Sequence, residues 1–230
     1  MERALKVITL DIKRKGFLKN LMVSLLSMIC FLFLSGILLK QKITTIPEIL
    51  LNIIPYFILA SYSLSLTQEF ANKTDKIVFT GIFSRNEIMI SKLINFIVVS
   101  IICFVCYEII SIICNTFNLG ILFNNLQTFI IYAFTLGSFI LLVSVITSNF
   151  IITGIVGYVF YFDLILTLFK QALCSNRSEV LKKIIENSPF YIANTGFYIG
   201  KYTTHQSLIM ISSGVIFLVA ACVIINRKNM

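Results

Sequence analysis

The sequence has no tryptophan, one histidine, three prolines and few charges, with Asp, Glu, Lys and Arg making up only 13% of its 230 residues. That share is about half the one usual in soluble domains. It excludes a water-soluble fold, which needs enough polar surface to cover its core. With His205 alone, neither a histidine-based metal cluster nor a Ser-His-Asp set can be built, and a lone histidine in a polar loop reads as solvated. Cys30, Cys103, Cys106, Cys114 and Cys222 fall inside or at the ends of apolar runs, and only Cys174 stands in a loop. Cys103-Phe-Val-Cys106 has redox spacing but lacks the βαβ setting that would support it. These cysteines read as small buried hydrophobes, with a Cys114–Cys174 bridge left open. Gly196 to Lys201 falls one residue short of a phosphate loop between its glycines and has no Ser or Thr after the lysine. Neither ATP nor a metal is expected on this chain.

What is present is apolar: 58% hydrophobic residues, 21 of them Phe, and a mean hydropathy of +0.94. A helix crosses a hydrocarbon core of about 30 Å with roughly 20 apolar residues. Six runs meet that length: Asn20–Leu39, Pro47–Thr67, Leu93–Cys114, Leu126–Ile146, Phe150–Phe169 and Ser207–Ile225. They are continuous where a membrane barrel would alternate, and open strands leave backbone groups unpaired in lipid. The fold class is therefore an all-α integral membrane protein with six transmembrane helices in a single domain over 1–230. The three residues Thr147-Ser148-Asn149 must reverse the chain between spans four and five. The first run is too long for the h-region of a cleaved signal. Before it, residues 1–19 form a basic leader with Leu5, Ile8 and Ile12 on one helical face, either an amphipathic helix at the membrane surface or a solvated topology signal.

Lysine and arginine set the orientation. Arg3, Lys6, Lys13, Arg14, Lys15, Lys19, Lys73, Lys76, Arg85, Lys92, Arg227 and Lys228 fall on one side, twelve in all. The other side has seven: Lys40, Lys42, Lys170, Arg177, Lys182, Lys183 and Lys201. Both termini are expected in the cytoplasm, in a multi-pass protein of the plasma membrane. The net charge of +9 is explained by this bias and by attraction to anionic lipid, so no nucleic-acid partner is called for.

The connection between spans two and three, residues 68–92, carries apolar Ile77, Val78, Phe79, Ile82 and Phe83 beside its charges. Such a loop suits a short helix that docks into a partner's groove, or one held on lipid by its lysines and Arg85. Its polar anchors are Glu69, Thr74, Arg85 and Lys92, with Phe79-Thr80 and Ser84-Arg85 between them. In type and spacing this resembles the type-2 ABC transporter permeases, which export drugs, bacteriocins, lipids and polysaccharides. Lys73, Ile82 and Ser91 depart from the family's Gly, Pro and Gly at their positions. The resemblance covers about 25 residues, with a similar six-span layout around it. It implies a coupling helix for a separate cytoplasmic ATPase subunit, which would carry ATP and Mg, and a second permease as homo- or heterodimer partner. By that implication the chain is a non-catalytic subunit of a bacterial exporter for an amphiphile such as an antimicrobial peptide or drug. It is similar to the small permeases of bacteriocin immunity and antibiotic resistance. Glu69, Thr74, Phe79, Ile82, Arg85 and Lys92 would be the ATPase-coupling residues.

Two acids, Glu108 and Asp163, lie inside apolar runs, where a carboxylate costs about 2.5–3.5 kcal/mol at mid-membrane. Counted from the outer ends they sit at similar depth. With Tyr107, Tyr158 and Tyr161 they form either a substrate path or a polar core for the bundle. An alternative function, a membrane-embedded enzyme or chaperone, would act through the same two acids. The outer loop, 170–206, contains a predicted amphipathic helix capped by Ser178 and ended by Pro189. Its aromatic stretch from Phe190 to Gly200 reads as a short re-entrant piece, and the resemblance implies an external gate there.

Overall fold

The computed structural model describes residues 17–40, 42–71, 84–174 and 179–227, and the regular elements among them are all helical. They are α1 Phe17–Leu38, α2 Ile46–Ala71 after a 3-10 turn at Ile43–Thr45, α3 Arg85–Ile113, α4 Leu119–Thr147 and α5 Phe150–Tyr161. Then come α6 Asp163–Cys174, α7 Glu179–Glu186, α8 Pro189–Ile199 and α9 Thr204–Arg227. Six segments are long and apolar enough to cross a membrane: Lys19–Leu38, Ile43–Leu64, Arg85–Ile113, Leu119–Thr147, Phe150–Cys174 and Thr204–Arg227. They match the six hydrophobic runs one for one. The basic leader before Phe17 lies outside the described residues.

Local chemistry extends some helices beyond their hydrophobic runs. α3 starts two turns before Leu93, because Ser84 and Glu87 form a reciprocal cap. The Glu87 amide donates to Ser84 Oγ at 3.2 Å, and the Ser84 amide donates to a Glu87 carboxylate oxygen at 2.8 Å. α4 starts at Leu119 rather than Leu126, N-capped by Asn118, whose Oδ1 accepts from the Gly120 amide at 2.9 Å. The tight reversal after α4 forms as expected, with Ser148 left-handed (φ 52°) and Asn149 capping α5. The fifth span is not one helix. Phe162 is extended (φ −129°, ψ −159°) and separates α5 from α6, each of 12 residues. α7 falls where its pattern places it, although Ser178 lies outside the described residues. Pro189 also opens α8 from its first turn, where its missing N–H is no loss. All six cysteines are unbridged, Cys114 buried and Cys174 exposed.

α4 is apolar around its circumference and buried over most of its length, as such a helix must be. It packs against α3, α5, α9 and, more lightly, α2 and α8, whereas α1 leans on α2. α4 and α9 run parallel and pack most extensively of all: Thr135 sits beside Met210, Phe139 beside Phe217. Small residues permit the close approaches. A Cβ on Gly214 of α9 would stand 2.6 Å from the Phe134 ring and 3.4 Å from the Thr135 backbone. Polar groups tie the helices where they touch. Tyr62 of α2 donates to the Phe96 carbonyl of α3 at 2.5 Å, and Ser100 of α3 to the Phe129 carbonyl of α4 at 3.0 Å.

Candidate functional site

At the Arg227 end of the bundle, Arg85 stands in the first turn of α3 beside the last turn of α9. Its guanidinium donates to the carbonyls of Ile225 at 2.6 Å and Asn226 at 3.3 Å. These belong to the carbonyls a helix leaves without intrahelical partners, and a cation there also meets the negative end of the helix dipole. Asn226 Nδ2 donates to Asn86 Oδ1 at 2.8 Å, a second strand of the same tie. Lys92, two turns further along, is not at a surface. It is 3% exposed, on a buried face with Ser91 and Asn95. Ser91 Oγ and Asn95 Oδ1 have no hydrogen-bond partner among the described residues. Glu69 stands in the last turn of α2. Its side chain, with Thr74, Phe79 and Ile82, lies outside the described residues.

Toward the Thr204 end, Glu108 is buried and accepts from Asn125 Nδ2 of α4 at 2.9 Å. With its donor group so used, Asn125 presents Oδ1 to the turn after α8. That oxygen would stand 2.8 Å from a Cβ on Gly200, whose φ of +73° already favours glycine. The turn folds back on its own helix. Tyr202 packs on Gly196 and donates to the Ala193 carbonyl at 2.9 Å, and burial holds its phenol well above the usual tyrosine range. Tyr107 is half-buried beside Phe129.

Asp163 opens α6, directly after the break. Its side chain lies outside the described residues. Tyr158 is partly exposed and stacks on Phe162, which in turn lies 4.3 Å from the Tyr56 ring. Tyr161 is fully buried against Tyr132 and Phe139 of α4. Glu108 therefore meets α4 at residue 125, whereas Tyr161, two positions before Asp163, meets it at residues 132–139. At about 1.5 Å per residue these two levels along α4 are roughly 10–20 Å apart.

The aromatic ring system around Tyr161 includes residues that hydropathy does not single out. Phe190 of α8 lies 5.2 Å from Tyr161, 5.5 Å from Phe139 and 6.2 Å from Phe217. Phe197, about two turns on, lies 4.5 Å from Tyr132 and 4.9 Å from Phe129. The re-entrant reading of 190–200 flagged this stretch, and the ring partners of Phe190 and Phe197 come from three other helices, α4, α5 and α9. Among the described residues no group of three or more His, Cys, Asp or Glu is placed to hold a metal. Comparison with protein-family models finds none that matches the chain, and a search of curated proteins finds no match.

Proposed function

We propose that this chain is the permease subunit of an ATP-driven exporter of the type-2 ABC class, moving an amphiphilic substrate outward with both termini in the cytoplasm. The observation that carries the reading is the tie at the Arg227 end. The segment 72–83 enters α3 at Ser84, and the next two residues, Arg85 and Asn86, are bonded to the last turn of α9. Force applied to that segment by a docked ATPase passes directly to a helix that packs along α4. The apolar residues Phe79 and Ile82, beside lysines, supply the docking surface.

An enzyme or chaperone acting through Glu108 and Asp163 gains no support from the geometry, because Glu108 is engaged by Asn125 and stands at a different level from the break. The test of the exporter reading is assembly. Purified in mild detergent from its native host, the chain carries an ATPase subunit with it, and Phe79→Asp or Ile82→Asp weakens that complex. Undiminished binding in both variants removes the coupling assignment. Localisation in the plasma membrane and pairing with a second permease belong to the same proposal.

A further inference from the structure

We infer that α8 is the internal occupant of a ligand groove. The wall formed by Tyr132, Phe139, Tyr161 and Phe217 takes an amphiphile with a flat aromatic body and hydrogen-bonding groups when α8 withdraws. This inference rests on the exporter reading for its purpose and names the place and chemical class of the substrate on this chain.

Three observations carry it. First, the wall is built for rings. Phe190 and Phe197 of α8 insert among aromatic side chains from α4, α5 and α9 at centroid distances of 4.5–6.2 Å. A ligand ring can reproduce such contacts. Second, the wall has hydroxyls that α8 does not use. Tyr132 and Tyr161 are fully buried, and neither phenol has a hydrogen-bond partner among the described residues. Phenylalanine would pack against α8 equally well, and buried polar groups are normally paired. Two such phenols on one wall point to a ligand with donors or acceptors of its own. Third, α8 is self-contained. Asn194 and Thr195 bond back within it, and Tyr202 bonds to its Ala193 carbonyl. Its exit is the left-handed Gly200. The helix and its turn can leave as one unit, giving up the seat of Gly200 on Asn125 and exchanging ring contacts for those of a ligand.

The probe is rhodamine 6G, a flat aromatic amphiphile bearing secondary amines and an ester. Binding is read by fluorescence polarisation to the full chain in lipid nanodiscs, against empty nanodiscs. Saturable binding is expected. In a cysteine-free background, Phe129→Cys with Phe197→Cys is joined by a short bismaleimide, and the same sample is compared before and after. Cross-linking should weaken binding more than tenfold. Tyr132→Phe and Tyr161→Phe, which keep ring shape, should each weaken it about fivefold while the melting temperature holds or rises. Three results would overturn the inference: no saturable binding above empty nanodiscs, binding indifferent to the cross-link, or full affinity in both phenylalanine variants. Neither ATP nor a partner subunit enters the measurement. A failed ATPase pull-down sinks the exporter reading and leaves the groove standing, and the reverse holds as well.

Discussion

At the scale of single residues, Glu108 and Arg85 do different kinds of work. The Glu108 carboxylate fixes the Asn125 amide, and the other face of that amide fits the turn at Gly200. Glutamine keeps an acceptor of the same reach. Such interactions in membranes average about 0.6 kcal/mol, so Glu108→Gln should leave expression and melting temperature nearly unchanged. Glu108→Ala leaves the partly buried Asn125 amide without its acceptor and should cost about 1 kcal/mol, read as a lower melting temperature. Under the exporter proposal, a stable Glu108→Gln protein that has lost transport would instead make the carboxylate a substrate contact. Arg85→Ala removes two bonds from the end of α9 at a partly exposed site. About 1 kcal/mol, or roughly 2–4 °C, is expected for this change, and a lysine there restores only part because it lacks the fork. The sequence marks Glu108 as a carboxyl in an apolar run but not its partner, because Asn125 meets it across the α3–α4 turn and is one of several polar residues at the start of α4. Ser84-x-x-Glu87 is a capping signature visible in the chain itself, and hydropathy passes over it because capping is hydrogen-bond chemistry.

At the scale of elements, close approach is set by what is missing from a side chain. Gly214→Ala drives a methyl into the Phe134 ring with the Thr135 backbone behind it, so the α4–α9 seam must open. Overpacking of this kind should cost about 1–3 kcal/mol, checked by thermal unfolding in detergent. The six spans are legible because length and apolarity are local properties of a run. The break at Phe162 is not, since neither proline nor glycine stands there. It is fixed by what surrounds it: Tyr56 and Tyr158 hold the Phe162 ring, and Tyr161 is gripped by α4 and α8. The aromatic stretch of α8 could be read as re-entrant, but the phenols it covers belong to other helices and no spacing rule connects them.

At the scale of the whole molecule, the charge bias makes a definite claim about sidedness. In a cysteine-free background, a membrane-impermeant maleimide applied to whole cells should label single cysteines placed in 175–188 and miss those in 72–86. The opposite pattern would invert the protein and end the proposal that 72–83 meets a cytoplasmic ATPase. The parallel pairing of α4 with α9 has a consequence of another sort. Neighbours in a simple up-and-down chain are antiparallel and close as hairpins, but these two are separated by everything between Thr147 and Thr204. A ribosome making about 5–20 residues per second needs several seconds to supply that interval. Through that delay α4, already threaded into the bilayer, presents its α9 seam, Phe134 and Thr135 included, to lipid or to the insertion machinery. The order of synthesis thus leaves this seam open longer than the one between α3 and α4, which are neighbours in the chain.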